Sequence, residues 1–169
     1  MPVRSDVFTL IGLRSPFSFT ELRSPDAGVA ALFSHAFGTP PPDYPSHFVA
    51  RYQGIVTAGY IHYIEHLPGV YLCGGLCIDT RVYRTLSRVE RAIVKRHGSL
   101  SRWLLNESIG RLPNKRAVFA YTGNRVSERD GFASDFVRTA IPHVIVQWHC
   151  SGQGVRTNLL SNVAGLGPF

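Results

Sequence analysis

Residues 62–66 read His62-Tyr63-Ile64-Glu65-His66, the H-x-x-E-H order in which some zinc peptidases set two imidazole ligands around a carboxylate base. That chemistry needs both histidines on one ion. A helix would bring them together within about one turn, whereas on a strand they share a face but stand about 13 Å apart, beyond any single metal. Val56, Thr57, Ile61 and Ile64, the aromatics at 60 and 63 and the mid-run Gly59 favour a strand. His62 therefore reads as a hydrogen-bonded sheet histidine and His66 as a residue near a turn. No metal is expected, and a zinc hydrolase built on His62, Glu65 and His66 is the remote alternative.

A second stretch, Arg96-His97-Gly98-Ser99-Leu100-Ser101, precedes a helical stripe of Ser101, Leu104, Leu105, Ser108, Ile109 and Leu112. The first N–H groups of a helix have no intrahelical acceptor and sit at its positive end, which suits a pyrophosphate. Small residues at 98, 99 and 101 let the backbone approach a ligand, and Arg96 adds a fork of donors. The same residues also have a structural reading. Ser87-x-x-Glu90 is a capping box opening a short helix, so Gly98 would end that helix and Ser99 would cap the next. The two readings are compatible.

The elements that must position these residues follow from periodicity and punctuation. Strands are expected at 7–13, 47–53, 55–66 and 70–78, with Pro68-Gly69 as the turn between the last two. Pro25-Asp26 opens a helix over 26–37 with Val29, Leu32, Phe33 and Phe37 on one stripe, and the prolines of 38–45 force an extended loop. Helices at 87–96 and 100–112, a strand at 116–122, a helix at 125–134 and a strand pair across 136–149 complete the chain. Strands first, then a strand–helix–strand unit, predict an α/β (α+β) domain around a mixed sheet flanked by helices. Residues 1–150 read as a single domain. Residues 151–169 read as a Gly-rich tail whose Val155, Leu159, Leu160, Val163, Leu166 and Phe169 would pack on the domain or on a second subunit of a homodimer.

Composition bounds the partners. The 169 residues, 44% hydrophobic and 17% charged, exclude a disordered chain and suit one globular core. There is no apolar run of membrane-spanning length and no signal-peptide core at the N-terminus, so a cytoplasmic protein without a membrane partner is expected. Cys73 and Cys77 share a strand face too far apart to bond and read, with Cys150, as free thiols. A net charge of +7 suits an anionic partner, either nucleic acid or a phosphate-rich cofactor. The basic residues are spread along the chain, so charge selects neither and nucleic acid is not favoured.

In these residues the chain resembles the GNAT superfamily of N-acetyltransferases, where R/Q-x-x-G-x-G/A holds the pyrophosphate of acetyl-CoA. Arg96 to Ser101 has that spacing, with serine at both glycine positions. Asn124-Arg125-Val126-Ser127 stands where the family has Asn-x-x-Ala, and Phe136 falls on the phenylalanine of a later Gly-Phe, with Asp135 replacing the glycine. The family's central strand runs almost directly into the phosphate loop, whereas about a dozen residues intervene here and read as an inserted 87–96 helix. A rival loop, Arg84-Thr85-Leu86-Ser87, is less suited because the helix beginning at Ser101 leads directly into the strand at 116.

The resemblance implies a mostly antiparallel GNAT-like sheet and direct transfer of an acetyl group from acetyl-CoA to a primary amine on a small molecule or peptide. Arg96 and the N–H groups of Gly98, Ser99, Leu100 and Ser101 would hold the pyrophosphate. Leu76, Cys77 and Ile78 would pair with the pantetheine, flanked by Asn124 and Ser127. Gly74-Gly75 in the central strand suits a bulge that turns an N–H toward the thioester carbonyl, or else makes room for a neighbouring aromatic. The family's usual tyrosine acid falls on Gly131. Tyr121 is then the candidate acid and Glu65 the candidate base; a core tyrosine and an exposed strand-end carboxylate are their ordinary readings. The alternative function is a non-catalytic GNAT-like module that binds CoA or a partner.

Overall fold

The structure is a computed structural model that describes residues 15–44, 46–167 and 169. Strand β1 (Phe17–Leu22) leads into helix α1 (Ala27–Phe37), which Asp26 caps by accepting the Val29 N–H at 3.0 Å and which Gly38 ends at φ 74°. The meander β2 (Ser46–Tyr52), β3 (Val56–Leu67) and β4 (Val70–Ile78) follows. Three helices then cross over: α2 (Thr80–Thr85), α3 (Arg88–Arg96) and α4 (Leu100–Arg111). Strand β5 (Ala117–Tyr121), helix α5 (Arg125–Phe132), strands β6 (Val137–Arg138) and β7 (Val144–Trp148) and helix α6 (Gln153–Val163) complete the chain.

Among the described residues seven strands form one sheet in the order β1-β2-β3-β4-β5-β7-β6. Every neighbouring pair is antiparallel except β4 and β5, whose parallel pairing is what the long crossover permits. One face of the sheet is covered by α4, with Trp103, Leu104, Leu105 and Ile109 packed against Ile61, Tyr63 and Val118. On the other face α1 buries Val29, Leu32 and Phe33 against Val49 and Tyr60, while α6 buries Leu159 and Val163 against Phe119 and Val146. No described helix is long and apolar enough to cross a membrane.

Several expectations need amendment. The strand expected at 7–13 lies outside the described residues. The edge strand is β1 instead, in a stretch that reads as polar because only Phe17 of it is buried. Helix α2 is a single short element capped by Asp79, whose side chain accepts the Arg81 N–H. The expected tail contains α6, which packs on a face of the sheet. The capping box is present as read: Ser87 and Glu90 exchange both hydrogen bonds and open α3.

Candidate functional site

β4 pairs with β5 only from Val70 to Cys73, yet it stays on β3 as far as Ile78. The two central strands therefore part after the Cys73–Ala120 pair, and the backbone edge of residues 74–78 on that side has no pairing with β5. The parting coincides with a register shift on the β3 side: His62 lies opposite Gly75 and Tyr63 opposite Cys73, leaving Gly74 as the extra residue of a bulge. Parity records the same event. Val70 and Leu72 face α6, but beyond the bulge it is Cys77 that packs under α1, while Leu76 and Ile78 turn to the α4 face. Both glycines thus look toward α1.

The two readings of Gly74-Gly75 turn out to be joined. A Cβ on Gly74 would collide with the His62 ring at Nε2, and one on Gly75 would press on Phe33 at 3.1 Å and His62 at 3.3 Å. That ring cannot retreat, because Phe33, Tyr44, Tyr60 and His47 surround it with centroids 5.5–6.3 Å away. Gly74→Ala should therefore destabilise the fold by about 1–3 kcal/mol, the cost of overpacking a filled site, and thermal denaturation will read it.

On the opposite face, α4 runs antiparallel to β4. Its Leu104 lies by Gly59, which pairs with Ile78; Ser108 bonds Tyr63 at 2.8 Å; and Pro113, just past its end, accepts from Tyr71 at 2.9 Å. The N-terminus of α4 is consequently at the open end of the parting strands. Arg96 is exposed there and has no ion-pair partner among the described residues. Gly98 (φ 84°) gives its N–H to Lys95 O and so ends α3, while Ser99 caps α4 by accepting the Arg102 N–H at 3.0 Å. The amides of Leu100 and Ser101 have no acceptor within their own helix.

An unforeseen group occupies this first turn. Asp130 of α5, only 7% exposed, accepts from Ser99 Oγ at 2.8 Å and from Ser101 Oγ. Burial works against its charge, but the hydroxyls of Ser101 and Ser99 and the Arg129 guanidinium outweigh it and hold the carboxyl below its ordinary range. The serines at the two glycine positions therefore bind an internal anion.

The remaining candidates are dispersed. Asn124 Oδ1 is engaged in capping α5, accepting from Val126 N, Ser127 N and Ser127 Oγ. Tyr121 lies one residue beyond the last β4–β5 pair, its ring 5.6 Å from His143. Glu65 lies at the closed end of the β3–β4 hairpin, where it accepts the Gly69 N–H at 2.7 Å, so its geometry holds a turn rather than a reacting amine. Gly131, where the resemblance puts a tyrosine, is buried, and a Cβ there would displace the terminal methyl of Ile145. Phe136 is 3% exposed in the core, and Asp135 before it takes φ 63°, the conformation in which glycine is easiest.

The H-x-x-E-H run is strand throughout, with His62 buried under α1 and His66 exposed. Among the described residues no three His, Cys, Asp or Glu side chains converge as a metal site. Cys73 and Cys77 are buried free thiols, pushed up by burial to about 12 and so unreactive as thiolates. Burial also pushes His62 down to about 4, with the His47 charge adding to the effect, and lowers His47. A cleft of about 570 Å³ between Phe17, Gln53, Glu90 and Ile93 lies at the β1 edge, away from the parting strands.

The parted central strands, the bulge and the crossover helix aimed at the opening define the GNAT acetyltransferase fold, which solved structures share. No protein-family model matches the chain, and no curated protein matches it significantly. The chain is similar to a GNAT-family N-acetyltransferase from Escherichia coli in complex with CoA (16% identity, 80% of this chain and 83% of that one, TM-score 0.54). It is also similar to a ribosomal-protein-S5-alanine acetyltransferase from Vibrio fischeri (12%, 80% and 94%, 0.54). A chain of the NatC complex bound to Gag peptide and CoA matches as well (12%, 79% and 99%, 0.58).

Proposed function

We propose that the protein is an acetyl-CoA-dependent N-acetyltransferase that moves an acetyl group to a primary amine by direct attack. The observation that carries this reading is the unpaired edge of β4 at residues 74–78, opened by a bulge and facing the start of α4. Leu76, Cys77 and Ile78 would pair with the pantetheine through their backbone, since the Cys77 side chain is buried on the α1 side. Arg96 and the amides of Ser99, Leu100 and Ser101 would meet the diphosphate. Gly98 would contribute close approach rather than its N–H, which Lys95 already takes. Asn124 and Ser127 would flank the cofactor at the start of α5. The Gly74 bulge would offer an N–H to the thioester oxygen as the tetrahedral centre forms. Two solved structures with this fold carry CoA, and one of them a peptide, which supports a small-molecule or peptide amine as acceptor.

The first test is binding. Acetyl-CoA is expected to raise the melting temperature, and Arg96→Glu to remove that shift, because losing a charged hydrogen bond costs about 1.5–3 kcal/mol before repulsion is added. An undiminished shift in the variant would refute the placement. Asp130 on Ser99 and glycine at position 131 in place of the resemblance's tyrosine favour a second reading, a non-catalytic module with the same fold. Thiol release across a panel of amines separates the two: CoA binding with no thiol released identifies the module.

A further inference from the structure

Four buried side-chain polar atoms lack a hydrogen-bond partner among the described residues, and two of them, His47 Nε2 and His62 Nδ1, sit on adjacent rings whose centroids are 6.3 Å apart. His47 and His62 are 0% and 1% exposed. Leaving such atoms unpaired costs free energy that packing alone would not select for. The position of His62 explains why they persist. Its Nε2 edge lies over the Cα of Gly74, and the register sets it opposite Gly75, level with the point where β4 leaves β5 and Tyr121 begins the other wall.

We propose that His62 is the proton carrier of the acyl transfer, its Nε2 taking the proton of the attacking amine and returning it to the departing thiolate. The inference rests on the acetyltransferase reading and deepens it. The amine nitrogen bonds to the thioester carbon, the C–S bond breaks with its electron pair going to sulfur, and the proton leaving nitrogen reaches that sulfur through Nε2. No net proton is gained or lost. To accept, Nε2 must hold the lone pair, so Nδ1 carries the hydrogen.

The ring behind it has a matching arrangement. Tyr60 Oη and His47 Nδ1 are hydrogen-bonded at 2.7 Å; with the hydroxyl as donor, neutral His47 carries its hydrogen on Nε2. In that scheme one water between the rings would accept from both His47 Nε2–H and His62 Nδ1–H and so fix the His62 tautomer. His47 is a positioning residue in this scheme. Around His62 the ring contacts are His47 from β2, Tyr60 from β3, Tyr44 from the loop before β2 and Phe33 from α1, and the Asp43 carboxylate and the Tyr44 backbone act on His47. None of the ring contacts supplies a negative charge that would hold an imidazolium on His62, and burial disfavours one. A proton picked up there is readily passed on.

The test combines ¹⁵N spectra of the imidazoles with kinetics. Free and CoA-bound protein should show the His62 proton on Nδ1, with the Nε2 signal moving when CoA binds. His62→Gln should lower kcat for thiol release by about 100-fold or more, the usual contribution of a general base, with the Kd for CoA held within about twofold. His47→Gln should lower kcat less and shift the His62 tautomer balance. A proton on Nε2, an unmoved His62 signal in a CoA complex, or a His62→Gln kcat within about threefold of the unaltered protein overturns the inference alone. CoA binding without thiol release from any amine also overturns it and identifies the module. Failure to bind CoA removes the acetyltransferase reading itself, and the proton carrier with it.

Discussion

Asp130→Asn tightens the binding of CoA by about one to two orders of magnitude at neutral pH, as calorimetry will read it. The carboxylate lies on the hydroxyls of Ser99 and Ser101, the residues whose amides open α4. A diphosphate docked on those amides would face a fixed negative charge within about one residue's width. Two like charges at 4 Å in a partly wet protein site repel by about 4 kcal/mol, and screening leaves a fraction of that. Asparagine keeps an oxygen that accepts from both serines, so α5 should stay docked on α4 while the repulsion disappears. Ser101→Ala serves as the control, since it removes one hydroxyl and retains the charge; it should not tighten binding. An Asp130→Asn protein with unchanged affinity would show that the diphosphate does not dock on the first turn of α4.

This feature could not be read along the chain. Asp130 and Ser99 are 31 positions apart, and their meeting depends on how α5 returns across the sheet. Local signals fared better. The alternation of β2, β3 and β4, the Pro68-Gly69 turn and the Ser87–Glu90 box act over a few residues and were legible for that reason. The glycine pair announced a bulge, because two glycines in mid-strand need a structural cause, and the register confirms one at Gly74. Helix α2 was missed because six residues carry too little periodicity. Helix α6 was missed because its glycines disguised a stripe in which only Leu159 and Val163 are buried. His47, Tyr60 and His62 were visible as residues but not as a cluster, since only the pairing of β2 with β3 brings His47 opposite His62. The absent tyrosine at 131 was legible, but the packing of Ile145 over the glycine was not.

The same buried histidines set the acid response of the fold. His62 falls from an ordinary 6.5 in the unfolded chain to about 4 in the folded one, through burial and the nearby His47, whose own value burial also lowers. Above pH 6.5 neither state protonates His62, and the stability is complete. Between pH 6.5 and 4 the unfolded chain takes up a proton that the fold refuses, so stability falls with falling pH, by on the order of 3 kcal/mol for His62. Below pH 4 both states are protonated and the loss levels off. Carboxylates act in a separate window. Asp26, Asp79, Asp130 and Glu90 are held below their ordinary values of 3.8 and 4.5, so their contribution is present above that range and lost only beneath it. The limb between pH 6.5 and 4.5 therefore belongs to the histidines. Urea denaturation at stepped pH should show stability declining across that limb, and His62→Gln should flatten most of it while leaving the loss below pH 4.5 in place. A protein as stable at pH 5 as at pH 7 would mean that burial does not hold the folded-state His62 below its ordinary range.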